Sequence, residues 1–122
     1  MKLNESILET IKVKLGLNPD YDEAFDVNLV TSINTAFERL YTLGIGPQDK
    51  PFRIEDGDSK WTDFIEAENF IDSVIDYIYF KVKLMFDLPA TSFAIEAVKN
   101  QIGELEFLFL CKADELKKEE TN

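Results

Sequence analysis

The chain has 122 residues, of which 45% are apolar and ten are phenylalanine, so it is long and apolar enough for one domain with a real core. Its 24 acidic and 13 basic residues give a formal net charge of −11. This balance excludes a nucleic-acid binder that relies on clustered basic side chains, and it disfavours an anionic membrane surface as a partner. Only five glycines and four prolines interrupt the chain, which favours a few long helices.

The residue types that most catalytic and metal sites need are missing or badly spaced. The chain has no histidine, so Ser-His and Cys-His pairs and histidine zinc sites are impossible. The acidic groups at 20–26 and 56–58 lack the spacing of a calcium-binding loop and are expected to be solvated turns. The one cysteine, Cys111, lies in an apolar run and is expected to be a buried small side chain. We therefore expect no enzyme, no cofactor and no metal.

Two helices are predicted in the first third of the chain. Ser6 and Glu9 have the spacing of a capping box at the start of the first helix, and Gly16 ends it. An acidic connector follows, and Asp26 is the expected N-cap of the second helix, which ends near Gly44. The predicted inward face of the second helix consists of Leu29, Val30, Ile33, Ala36, Phe37, Leu40 and Leu43, whereas Asn34 falls outside it.

Residues 47–59 are predicted to form a loop or a short β excursion. Phe52, Arg53 and Ile54 alternate as in a strand, but the sequence shows no convincing partner strand within the chain. Ser59 is then a candidate cap for a short helix that contains Trp61.

The third long helix, ending near Phe86, is predicted to carry two apolar stripes. The first consists of Ile71, Val74, Ile75, Ile78, Val82 and Met85, and the second of Phe70, Tyr77, Phe80 and Leu84. Pro89 forces a tight corner, after which Thr91 or Ser92 caps the last helix. No stretch of the chain is free of charged residues for the roughly 20 positions that a membrane-spanning helix needs.

The last helix is predicted to bury Ala94, Val98, Ile102, Leu105 and Phe109, with Phe107 and Leu110 pointing elsewhere. Residues 113–122 are expected to be a polar tail. The fold expected for the single domain 1–122 is a compact, mainly α bundle of about four helices, with the loop or short β excursion between the second and third long helices.

Taken in order, several short motifs resemble the head-tail connector family of long-tailed bacteriophages, whose members are adaptor or head-completion proteins. The matching pieces are 11–17 with its Leu-Gly end, Phe25-Asp26, 40–46, Trp61, 77–87 running into Pro89, and 104–106. Leu88 is a departure, because members often carry two prolines in this corner.

The resemblance implies a helical virion protein that is made in the cytoplasm of the host bacterium. Its copies would form a ring, expected to be a dodecamer, beneath the portal protein of the capsid. The ring would extend the DNA channel, through which DNA passes only as cargo, and would dock a tail-side connector or stopper protein.

The same resemblance suggests which residues make contacts. A ring needs a heterologous interface, in which two different faces meet, and the second stripe of the third helix is expected there: Phe70, Tyr77, Phe80 and Leu84. The C-terminal region is expected to engage the portal through Phe107, Leu110 and Leu116. The segment Phe52, Arg53 and Ile54 suits strand addition to another chain.

Other functions stay open from the sequence alone. A small acidic helical protein can mimic DNA and inhibit nucleic-acid enzymes, although the acids here lie mainly at helix starts and in loops. The chain also suits a generic protein-interaction module without a portal partner. A small metal-dependent enzyme built on the loop acids is a further alternative.

Overall fold

The computed structural model describes residues 2–18, 23–65 and 70–121, with side chains over 3–18, 23–65 and 70–115. Its helices are α1 (Ile7–Lys14), α2 (Asp26–Thr42), α3 (Trp61–Phe64), α4 (Ile71–Phe86) and α5 (Ser92–Thr121). Single 3-10 turns precede α1 and α2. No β-strand occurs in the described ranges, so the expected mainly α fold is confirmed.

The helix α4 is central, because α1, α2 and α5 all pack against it. Lys14 of α1 pairs with Asp76 at 3.4 Å and lies over the ring of Tyr79. Tyr77, by contrast, contacts Phe109 of α5. Around the axis of α4, Asp76 and Tyr79 lie about 100° and 160° away from Tyr77. The helices α1 and α5 therefore lie on opposite sides of α4.

The start of α1 agrees with the sequence, whereas the start of α2 differs by one residue. The hydroxyl of Ser6 accepts a hydrogen bond from the amide of Glu9 at 3.2 Å, as an N-cap does. Asp26, the predicted cap of α2, is instead its first helical residue, after Phe25. Its carboxylate accepts a 2.8 Å hydrogen bond from the buried ammonium group of Lys12. The aspartate therefore ties α1 to α2 instead of capping a helix.

The predicted inward face of α2 is buried except for Val30, which is half-buried. The prediction for Asn34 was wrong, because this side chain is 4% exposed. Its Nδ2 donates to the carbonyl of Ile54 at 2.9 Å, and its Oδ1 accepts from the amide of Ile54 at 2.8 Å. One amide side chain thus satisfies both backbone groups of a buried loop residue.

The loop between α2 and α3 is anchored without being a strand. Ile54 is buried, and the ring of Phe52 packs against Phe37 and Phe64 at centroid distances of 4.9 Å and 5.3 Å. The alternation at 52–54 reflects two side chains that pack against the core, Phe52 and Ile54, and the exposed Arg53 between them. The strand that it suggested is absent from this described segment.

The short helix α3 carries the buried Trp61 into contact with α1. The indole Nε1 of Trp61 donates to the hydroxyl of Thr10 at 3.1 Å. Lys60, one residue after the predicted cap Ser59, is the N-cap, and its amide donates to Asp63 at 2.9 Å. An isolated antiparallel bridge between Ser6 and Lys60 holds the start of α1 against this turn.

The corner between α4 and α5 forms as the sequence predicts. Lys83 and Asp87 pair at 2.7 Å at the end of α4. Pro89 follows, and the hydroxyl of Thr91 accepts a hydrogen bond from the amide of Ala94 at 3.1 Å. The helix α5 then runs to Thr121, well past Lys112, where the polar tail was expected to begin.

We expect Asn34→Ala to lower the free energy of unfolding by about 2 to 4 kcal/mol, because it leaves the buried amide and carbonyl of Ile54 without partners. Urea denaturation at pH 7 measures this loss. The matched control is Thr35→Ala, at the next and exposed position of α2, which should change stability by less than about 0.5 kcal/mol. Equal effects of the two substitutions would contradict the role assigned to Asn34.

Candidate interaction surface

Tyr77 belongs to the core of the protomer. Its side chain is 0% exposed, and its ring meets that of Phe109 edge-on, with a centroid distance of 5.4 Å and an interplanar angle of 85°. The ring has no free surface for a neighbouring subunit. The expectation that Tyr77 lies at a subunit contact is therefore corrected, because α5 already covers this side of α4.

A polar network at the same place joins α2, α4 and α5. The hydroxyl of Tyr77 donates to the carboxylate of Glu106 at 2.6 Å. Arg39 donates to both oxygens of that carboxylate, through Nε at 3.3 Å and Nη2 at 3.2 Å. These partners are 67 and 29 residues from Glu106 in the chain, so no local sequence pattern reveals them.

The network changes the acidity of its members. Burial alone would raise the pKa of Glu106, but the hydrogen bonds from Arg39 and Tyr77 outweigh it and hold the pKa below its ordinary value. Burial, and then the hydrogen bond to Glu106, raise the pKa of Tyr77 far above its ordinary value. The charged carboxylate and the neutral phenol are thus the forms that fasten α5 to the other two helices.

The other residues of the second α4 stripe are neither core nor fully exposed. Phe70, Phe80 and Leu84 are half-buried and pack against the edge of the core. The ring of Phe80 contacts that of Tyr79 at a centroid distance of 5.3 Å. These three side chains keep some free surface, but they do not protrude.

Strongly exposed apolar side chains lie elsewhere: Val13 on α1, Val27 on α2, Leu88 in the corner, and a set on α5 that includes the most exposed aromatic rings. We call the exposed set Phe93, Phe107, Leu110 and Cys111 the α5 outer face. Their spacing places Phe93, Phe107 and Cys111 on the side of the helix opposite the buried Ile102, Phe109 and Ala113, and Leu110 on the flank between the two sides. Phe107 is 69% exposed and Leu110 is 53% exposed. The prediction that Cys111 is buried was wrong, because the apolar run that contains it spans both sides of the helix.

The buried face of α5 extends further along the chain than the sequence predicted. Ala113 is buried, and a Cβ added at Gly44 would come within 2.9 Å of the Ala113 side chain. Gly44 also has a φ of +88°, which ends α2 and lets the chain pass close to α5. Leu116 lies in α5, but its side chain is outside the described part of the structure.

The structure also corrects the expectation for the segment 52–54. Both backbone groups of Ile54 are already bonded to Asn34, so strand addition cannot use them. Phe52 is half-buried in an aromatic cluster, and Arg53 is exposed. Of the three candidate contact residues, only Arg53 presents an exposed side chain.

Two grooves differ sharply in charge. The first, of about 860 Å³, lies between α1, α4 and residues 57–60, and we call it the acidic groove. The carboxylates that line it are Glu5, Glu9, Asp58, Asp72 and Asp76. The second, of about 720 Å³, lies between the start of α2 and the end of α4, and we call it the corner groove. Its apolar lining consists of Leu15, Leu17, Phe25, Met85 and Phe86.

Exposed apolar residues continue the corner groove onto the surface. Phe25 and Phe86 meet edge-on at a centroid distance of 5.4 Å, and Phe25 is itself 42% exposed. Met85, which the sequence assigned to the buried stripe of α4, is 45% exposed because it lies at the rim of this groove. Leu88 is 58% exposed in the adjoining corner.

The model of the phage connector protein family matches residues 7–115, which is nearly the whole chain. The chain belongs to the phage connector protein family. The match confirms the resemblance that the short motifs indicated, and it makes this connector protein a structural component of a phage particle. No curated protein and no solved structure matches the chain.

The described residues of the connector protein also bear on membrane and metal binding. Within them, no helix is both long and apolar enough to cross a membrane. In the same residues, no group of three or more candidate ligands is arranged to hold a metal ion.

We expect Glu106→Gln to lower the free energy of unfolding by about 2 kcal/mol at pH 7, because it weakens hydrogen bonds to a charged group. The pKa of Glu106 is lower in the folded state, so its contribution is present above its ordinary value of 4.5 and is lost as the pH falls through the folded-state value. The difference between the wild-type protein and the variant should therefore shrink in urea denaturation below pH 4.5. Glu104→Gln, at an exposed position of the same helix, is the control and should show neither effect.

Proposed function

We propose that this connector protein forms a ring beneath the portal, extends the DNA channel and docks the next connector or tail component. The observation that carries the proposal is the family match together with the exposed apolar α5 outer face. An exposed apolar face of this kind suits an assembly subunit, because water-exposed aromatic rings gain free energy when a partner covers them. A DNA mimic would instead need carboxylates in regular rows on an exposed face.

The α5 outer face is the better candidate for the main ring contact. Its rings protrude from the protomer, whereas Phe70, Phe80 and Leu84 are partly covered by their own chain. In the proposed ring, these α4 residues form the rim of the contact and the α5 outer face forms its centre. Phe107 and Leu110, which the resemblance suggested as portal contacts, are thereby assigned to the ring contact, and the C-terminal end of α5, from Leu116 onward, keeps the proposed role of portal contact.

The charge of the connector protein supports its proposed place around DNA. Each copy carries a formal net charge of −11, so a ring repels DNA phosphates wherever its acids face the channel. DNA in such a channel slides without adhering, which fits DNA as passing cargo.

We expect Phe107→Ser with Leu110→Ser to leave a stable monomer that no longer assembles, because both side chains are exposed. Phe80→Ser with Leu84→Ser should instead lower the free energy of unfolding by about 2 kcal/mol, because both side chains pack against the core. Urea denaturation gives the stability, and light scattering gives the mass in solution. Normal assembly by the Phe107/Leu110 variant would contradict the role of the α5 outer face.

We expect purified connector protein to form a ring on purified portal rings in negative-stain images. Deleting residues 116–122 should weaken portal binding in pull-down assays and keep the fold by circular dichroism, because the last buried residue described on α5 is Ala113. A deletion that starts at 113 removes the contact with Gly44 and should also reduce stability. Undiminished portal binding by the shorter deletion would refute the role of the C-terminal end.

A further inference from the structure

We infer that the α5 outer face of one copy seats in the corner groove of the next copy. This inference rests on the proposed ring and names the two faces that meet in it. The contact is heterologous: the protruding face lies on α5, and the receiving groove lies between α2 and α4.

Charge selects the corner groove over the acidic groove. The α5 outer face is bordered by carboxylates, because Glu104 and Asp114 are exposed close to Phe107 and Leu110. In the acidic groove these groups would face five carboxylates, against two lysines, Lys14 and Lys60. Like charges brought together in a closing interface destabilise it.

The corner groove offers the opposite environment. Among its described lining residues only Asp87 carries a carboxylate, and Lys83 pairs with it at 2.7 Å. The polar part of the lining is uncharged and consists of Asn28, Thr31 and Ser32 in the first half of α2. The start of α2 is the positive end of its helix dipole, which suits the acidic border of an incoming α5.

The corner groove and the α5 outer face are placed so that each copy can contact two neighbours. The corner groove includes Leu15 and Leu17, which follow α1, and α1 lies on the side of α4 opposite α5. A copy that inserts its α5 outer face into a neighbour therefore still presents its own corner groove to another copy. A contact of this kind closes into a ring if the rotation between copies allows it, whereas an isologous contact would stop at a dimer.

Both the corner groove and the α5 outer face carry exposed apolar side chains. Phe25 and Met85 are exposed at the groove, and Phe107 and Leu110 are exposed on α5. Burying these four side chains against one another removes apolar surface from water at both partners, which is the main source of stability in such interfaces.

The test uses Cys111, the one cysteine of the chain, which is exposed within the α5 outer face. The full-length protein is given a second cysteine by Asn28→Cys in the corner groove or, as the matched control, by Glu9→Cys in the acidic groove. Both positions are exposed on helices. Each variant is assembled and treated with a short bis-maleimide, and the products are separated on a denaturing gel. Light scattering and circular dichroism are recorded before cross-linking.

Head-to-tail contact through the corner groove predicts a ladder of covalent products longer than a dimer for Asn28→Cys. The wild-type protein, with one cysteine per copy, can give nothing longer than a dimer. A ladder from Glu9→Cys instead, or assembled rings without any ladder from Asn28→Cys, overturns the inferred pairing and leaves the ring in place. A protein that forms no ring, either alone in light scattering or on purified portal rings in negative-stain images, overturns both the ring and the pairing.

Discussion

The attachment of α5 to the rest of the bundle depends on the network around Tyr77. This helix is 30 residues long, yet its deeply buried described residues are only Ile102, Phe109 and Ala113. The carboxylate of Glu106 therefore carries much of the specificity, since it binds α4 through the hydroxyl of Tyr77 and α2 through Arg39. These few contacts fix which side of α5 faces the other helices, and they leave the opposite side of α5 exposed.

Much of the architecture was predictable from the sequence because its signals are local. Ser6 and Thr91 cap the helices that they were expected to cap, and Pro89 makes the corner. The periodic apolar residues of α2 and of the first α4 stripe are buried apart from Val30 and Met85. Capping, proline geometry and helical periodicity each act within a few residues, so the chain alone reveals them.

The interaction surface was less predictable because it depends on which helix covers which. Two apolar stripes on α4 indicated a second packing partner, and the sequence could not distinguish a neighbouring subunit from α5 of the same chain. The buried contact of Tyr77 with Phe109 shows that α5 of the same chain is the partner on this side. The exposed apolar side chains on this part of the molecule are instead Phe107 and Leu110. Both were recognised as pointing away from the main face of their helix. Asn34 was missed for a related reason, since its partner lies 20 residues away in a loop without regular structure.

The pairing of Asn34 with Ile54 bears on how connector proteins of this kind can diversify. The loop between α2 and α3 is held at Ile54 by Asn34 and at Phe52 by the aromatic cluster, whereas residues 48–50, 55 and 56 are exposed, and length changes at such exposed positions carry only a small entropic penalty. Insertions at those exposed positions would leave the helices undisturbed. Such a loop can be reshaped through evolution while the bundle that carries it stays the same.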